Sequence, residues 1–263
     1  MTELKLTLIQ FARRSSPSEN LERMLNLLRS SSNTHLIVLP ENWYYTGILP
    51  IDEYRKLTDR LSEFVEEEGS TLVIGAHYVR DGETAVSRGA VISTGNVWIE
   101  YEKHHPSSAV GERSFLRPGD KIALTTVKGV KVGVVVCVDL MYPEVVRGLA
   151  LRGTELVVNP ASIPVDRVKL WRHIGAARAA ENTLFLASVN NTSTMYPDSR
   201  PVMGGSFVAS PEGSIILDAG EEEGAYTVTL DTTWIDAVRR RWSFLLDVKC
   251  RRQEFLRRYY LFN

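Results

Sequence analysis

The segment from Lys131 to Pro160, KVGVVVCVDLMYPEVVRGLALRGTELVVNP, admits few folds. Its first apolar run, Val132 to Val136, is β-branched apart from Gly133 and too short for a helix, so it reads as a strand buried on both faces. Pro143 and Glu144 then open a helix, because proline suits the first turn and an acid complements the positive end of the helix dipole. Val145, Val146, Leu149, Ala150 and Leu151 supply its apolar side, and Gly153 is placed to end it in a left-handed conformation. A second buried strand, Leu156 to Asn159, follows at once. Strand, helix, strand is a crossover unit of an α/β fold, and ligands in such sheets sit beyond the strands' carboxyl ends. Cys137 stands at such an end.

Strands and helices with hairpins between them account for the rest of the chain. Leu4, Leu6 and Leu8 alternate as a strand, and Ser16 or Ser18 caps a helix with the stripe Leu21, Met24, Leu25 and Leu28. His35 to Leu39 is a buried strand, Ile51 to Glu68 a helix stopped by Gly69, and Thr71 to Tyr78 a further strand. Asp81–Gly82 marks a tight turn, and Ala90 to Ser93 and Val97 to Tyr101 form a hairpin across Thr94–Gly95–Asn96. Lys103 to Asp120 is a long polar loop, a kind that is often functional in compact domains. Strands Ile122 to Val127 and Val130 to Val136 flank Lys128–Gly129.

Beyond Pro160, Val165 to Asn182 reads as a helix whose Gly175–Ala176–Ala177 run permits close packing. Leu184 to Asn190, Ser206 to Ala209, Ser214 to Leu217 and Ala225 to Leu230 read as strands, Thr232 to Arg241 as a short basic helix, and 242–263 as an aromatic, arginine-rich tail. No compositional break marks a linker, so 1–263 is expected to form one domain of two packed sheets with helices outside.

A chain of 263 residues, 44% hydrophobic and 24% charged, can bury a core of that kind. Its net charge of −1 offers no basic surface for nucleic acid, and no apolar run approaches a membrane span. Met1 to Phe11 has no signal-peptide core. Cys137 and Cys250 form neither a CxxC pair nor a metal-type spacing with the five histidines, so no metal is expected and the protein reads as reduced and cytoplasmic. The glycosylation-type matches at Asn190 and Asn191 read as chance.

A cysteine in an apolar strand is most often a small, inert core residue. Position recommends Cys137 as a nucleophile: between a strand end and a helix start, backbone N–H groups and the helix dipole favour a thiolate. A nucleophile needs a base and a group to hold negative charge. Glu41, in Pro40–Glu41–Asn42–Trp43, also lies just past a buried strand, where Leu39 and Trp43 would raise its affinity for protons as a base requires. The bland alternative is a capping or surface acid. Lys103 follows Tyr101 at a strand end, placed to stabilise an oxyanion or simply to be solvated. Glu112 could orient Lys103 or the substrate, or merely pair with Arg113. His104 and His105 offer a rival base in a papain-like arrangement, although the neighbour of an inward-pointing strand-end residue tends to point away.

Taken together, LPENW around Glu41, YEKHHP around Lys103 and VVVCVDLMYPE around Cys137 resemble the Glu-Lys-Cys triad of the nitrilase, or carbon–nitrogen hydrolase, superfamily in its amidase-like branch. GERSFLRPGD puts Glu112 at that family's second glutamate, and ARAAEN with the later Asn190, GGSFVASPEGSII and the segment near Asp247 agree more weakly. The resemblance implies an α/β fold, a four-layer αββα sandwich of two mixed sheets with outer helices. It implies no metal or organic cofactor, and association through helices near the active site into a homodimer or higher homo-oligomer. The apolar residues of the tail, 242–263, are expected to pack across a two-fold related subunit, helped by the small-residue face around Gly175, the alternative being that the tail folds back on its own chain. The resemblance also implies a reaction: Glu41 takes the thiol proton, Cys137 attacks a small amide or N-carbamoyl compound, Lys103 and the backbone N–H of Val138 hold the oxyanion, and water hydrolyses the thioester. Nitrilases resemble one another in having Trp–Glu after the nucleophile, where this chain has Val138–Asp139, which favours amides over nitriles. Two other classes stay open: a non-catalytic interaction protein retaining the fold, and a thiol redox protein using Cys137 and Cys250. The loops after Glu41, from Lys103 to Asp120 and around Met195 to Gly204, are expected to shape the pocket.

Overall fold

Leu4, Leu6 and Leu8, every second residue of the first strand, are fully buried in the core between two sheets. The computed structural model describes residues 3–31, 33–95, 97–196 and 198–259, with the side chains of 252, 253, 255, 256 and 259 set aside. The first half of the chain runs β1 (Glu3–Gln10), α1 (Pro17–Arg29), β2 (Leu36–Val38), α2 (Ile51–Glu68), β3 (Thr71–Val73), β4 (His77–Asp81), β5 (Thr84–Ser93) and β6 (Val97–Glu102). After the long loop come β7 (Leu124–Val127), β8 (Val130–Val134), α3 (Pro143–Leu151), β9 (Leu156–Pro160), α4 (Val165–Asn182) and β10 (Phe185–Val189). A small hairpin, β11 (Thr194–Met195) and β12 (Pro201–Val202), precedes β13 (Phe207–Ala209), β14 (Ile215–Asp218), β15 (Gly224–Asp231), α5 (Thr233–Arg241) and α6 (Phe244–Tyr259).

One sheet has the order β15-β1-β2-β3-β5-β4, with β6 on the free side of β5, and the other β14-β13-β10-β9-β8-β7. Both are mixed: β1, β2 and β3 are parallel, as are β8, β9 and β10, and antiparallel strands flank them. Their inner faces form one core that continues to α3 and α4. On the outer face of the first sheet, Met24 and Leu28 of α1 and Leu57, Leu61 and Phe64 of α2 pack against Ile9, Ile37 and Leu72. Each such side chain contributes about 1.5–3 kcal/mol by burial. The result is the expected helix–sheet–sheet–helix stack. No described helix is long and apolar enough to cross a membrane.

Three details depart from the sequence reading. The expected strand from Thr71 to Tyr78 is broken at Gly75, which has φ +75°, and β3 and β4 pair separately with β5. Gly75 is required there, because a Cβ would lie 2.0 Å from the Pro40 carbonyl oxygen. Gly175 packs within its own chain, where a Cβ would meet the Phe207 ring at 2.5 Å. The tail from Trp242 is largely the helix α6, which packs on α3 and α4. Trp242, Phe244 and Leu246 remain 43%, 48% and 59% exposed. The side chains of Phe255 and Tyr259, and the residues Asn96, Tyr260, Leu261 and Phe262, lie outside the described set.

Candidate active site

Glu41, Lys103 and Cys137 each follow a strand, and backbone bonds fix each of them. Beyond β2, the Glu41 N–H donates to the Ala161 carbonyl at 3.2 Å, and its own carbonyl accepts from Asn191 Nδ2 at 2.7 Å. Trp43 is buried beside it, its indole N–H donating to the Ile74 carbonyl at 2.7 Å. Lys103, beyond β6, donates its backbone N–H to the Ser87 carbonyl at 2.9 Å and is 1% exposed. Cys137 opens a short 3₁₀ turn, Cys137–Met141, with φ +45°. That left-handed geometry costs a non-glycine residue about 1–2 kcal/mol, and its surroundings hold it in place. Asn159 Nδ2 donates to the carbonyls of Val135 and Cys137 at 3.0 and 3.2 Å, and Arg178 of α4 donates to those of Leu140 and Met141.

The buried Asp139 ties the nucleophile turn to the lysine loop. Its carboxylate accepts the backbone N–H groups of His104 and His105, both at 2.9 Å, and the His105 ring nitrogen at 2.8 Å. The His105 ring stacks on Tyr142 at 3.6 Å, and His104 Nδ1 lies 3.0 Å from the Gly119 carbonyl. Neither histidine reaches the cavity that holds the cysteine, so the rival base is out of place.

Lys103 Nζ lies 2.9 Å from Glu41 Oε1 and 2.8 Å from Glu112 Oε1. Glu112 is fixed in turn by the Tyr78 hydroxyl at 2.8 Å and the Ser107 N–H at 2.5 Å, rather than by Arg113. Burial raises Glu41 above the ordinary carboxylate range; Lys103 opposes the shift and Glu112 adds to it. Burial alone would lower Lys103, but Glu41, Cys137 and Glu112 together hold it well above its usual value. The Cys137 thiol is pushed well up by burial and by Glu41, against the pull of Lys103. Burial and Glu41 thus oppose the thiolate that a helix start would favour; α3 begins only at Pro143, and the thiol lies 3.8 Å from the Ser162 carbonyl. A neutral thiol facing a base suits proton transfer at the moment of attack.

A cavity of about 430 Å³ opens onto Glu41, Lys103, Glu112, Cys137 and Val138. The three expected loops contribute Asn42, Ala109 and Tyr196 among others, while Met195 points to solvent. Cys250 is exposed on α6 and Cys137 is buried, both as free thiols, which removes the redox pair. Asn190 and Asn191 are buried, and Asn190 binds Ile163 and Gly204, so neither is a surface acceptor for sugar. Sequence reasoning missed Arg13, Asp139 and Asn159. Arg13 lies three residues past β1 and Asn159 near the end of β9, so the strand-end rule applied to every strand would have singled them out.

A profile of the carbon-nitrogen hydrolase family matches residues 5–240. An (R)-stereoselective amidase of Pseudomonas sp is 31% identical over 262 residues, covering 93% of this chain and 91% of that protein. A 2-oxoglutaramate amidase of Paenarthrobacter nicotinovorans is 29% identical over 248 residues, covering 87% and 83%. A mutant of the amidase from Nesterenkonia sp. AN1, which shows covalent addition of the acetamide moiety of fluoroacetamide at the active site cysteine, shares the fold. Its TM-score is 0.84 at 23% identity, covering 99% of this chain and 97% of that one.

Proposed function

The chain belongs to the carbon-nitrogen hydrolase family, and we propose that it cleaves small amides or N-carbamoyl compounds through a thioester on Cys137. The observation that carries this reading is Lys103 held between two buried carboxylates in the wall of the cavity that contains the thiol. Glu41 takes the thiol proton as sulfur attacks the carbonyl carbon, and the ammonium of Lys103 and the Val138 N–H receive the negative oxygen. Glu41 then passes its proton to the departing nitrogen and later activates the water that releases the acid. Glu112 keeps Lys103 in place. All of 1–263 acts as one hydrolase unit, and none of these steps calls for a metal or organic cofactor.

Cys137→Ala should abolish ammonia release while Cys250→Ala retains it. Quenched wild-type protein should carry an acyl adduct on the peptide containing Cys137, and substantial turnover by Cys137→Ala would sink the mechanism. Amides should outpace matched nitriles, because Lys103 and Glu41 supply an oxyanion site and a proton for the leaving nitrogen, whereas a thioimidate needs further protonation steps. The amidase names of the relatives support this preference. A nitrile hydrolysed faster than its amide would overturn it.

The exposed Trp242, Phe244 and Leu246 support association of two copies through the C-terminal segment, 242–263. Light scattering should return at least the dimer mass, and a monomer at working concentration rejects it. A nucleophilic thiol is protected by reducing surroundings, which supports a cytoplasmic setting. Fractionation that found the protein outside the cytosol would reject that.

A further inference from the structure

Two carboxylates share one ammonium in the cavity wall. Glu41, Glu112 and Lys103 are all buried, and when both acids are ionised the three carry a net negative charge. A buried charge without a counter-charge is costly, so a second cation is called for. Arg13, just past the end of β1, is 8% exposed, lines the same cavity and stays charged as guanidinium groups do. One Nη donates at 2.9 Å to the carbonyl of Asn42, the residue after the proposed base, and the other stands 3.5 Å from Thr194 Oγ1. Asn42 has φ +51° and donates its N–H to the Ala76 carbonyl at 2.8 Å, so the turn that carries Glu41 is held from both sides. Among the described residues no carboxylate makes an ion pair with Arg13, and the acid that acts on it across space is Glu41. The other titratable groups around Glu41 do not supply the missing charge. The Cys137 thiol and the phenols of Tyr78, Tyr101 and Tyr196 are pushed up by burial and neutral. His77 of β4, fully buried, is held down to about 3 by burial and by Arg13, and is neutral too. Farther round the cavity, Arg200 already has Asp198 at 2.8 Å and Arg167 is exposed.

We propose that Arg13 is the second cation of this cluster, a positioning residue that fixes the turn behind Glu41 and balances the second carboxylate, so that Glu41 is held ionised as the base. The role rests on the amidase reading and does not depend on which amide is cleaved.

The test is the pH dependence of kcat/KM on butanamide, a substrate without charge. Loss of a nearby cation disfavours the carboxylate, so the acid-side midpoint should rise by about one pH unit in Arg13→Gln, which keeps a donor for the Asn42 carbonyl. The loss in kcat/KM should then be about tenfold greater on the acid limb than on the plateau, and Arg13→Lys should bring the midpoint back. Glu112→Gln should move the midpoint the other way, and Arg13→Gln combined with Glu112→Gln should return it toward wild type. An equal loss at every pH, or a lowered midpoint in Arg13→Gln, overturns the proposal and leaves Arg13 only to hold Asn42. If Arg13→Gln does not fold, recovery of folding in the double variant, whose charges balance again, sustains the proposal, and failure there too refutes it. If wild type hydrolyses no amide, the amidase reading fails and infrared spectroscopy decides for Arg13. The band of protonated Glu41, assigned by its loss in Glu41→Gln, should appear at a higher pH in Arg13→Gln; a band that does not move refutes the role.

Discussion

Glu41 owes its chemistry to its surroundings. Burial raises its proton affinity, and the paired Lys103 opposes the rise. On the proposed mechanism the ionised form is the base, so kcat/KM should fall as pH drops through the pKa of Glu41, with a midpoint above the ordinary carboxylate range. Burial and Glu41 place the thiol well above its usual range, and Lys103 is also held high. The plateau should therefore extend past about pH 8.5, the ordinary thiol value. A pH–rate profile with a carboxylate-like midpoint near 4 would refute this. Glu41→Gln should cost at least about 100-fold in kcat, with His104→Ala and His105→Ala much milder. Asp139→Asn should lower kcat more than KM, because two backbone N–H groups beside Lys103 lose a charged acceptor. Cys137, Glu41, Lys103 and Glu112, which line one cavity, were legible as candidates in the sequence because each sits in a short local pattern at a strand end or in the long loop. The clamp by Asp139 was not, because it joins residues 34 and 35 positions apart that meet only when the two sheets are packed.

The elements divide in the same way. The sequence pattern predicts α2 and α4 with the bounds they have, since an apolar face marks each locally and Gly69 stops α2; that α4 ends on a left-handed Thr183 is seen only in the structure. The break between β3 and β4 answers to a neighbour, the Pro40 carbonyl, that no local pattern reveals. Gly75→Ala is strained both by its φ of +75° and by that contact, and should cost about 1–3 kcal/mol. For a chain of this size that is a fall in Tm of about 2–12 °C. Activity should fall as well, because Pro40 cannot move without Glu41. Normal turnover at a lowered Tm would separate the two effects and reject the link.

In the whole molecule, Glu41 and Lys103, the proposed base and oxyanion holder, leave one sheet, by β2 and β6, and Cys137, the proposed nucleophile, leaves the other, by β8. The α/β class and the layering were legible because two crossover patterns separated by hairpins leave few ways to pack. Which sheet carries which catalytic group was not, since β15 returns from the far end of the chain to pair with β1. The proposed chemistry therefore spans a seam whose width is set by apolar side chains such as Leu6 and Leu8, which do not line the cavity. Turnover becomes a gauge of how far apart the two halves of the sandwich stand. Squeezing the protein with hydrostatic pressure, or thinning the filling with Leu6→Ala, should alter the rate of sulfur attack before any unfolding is detectable.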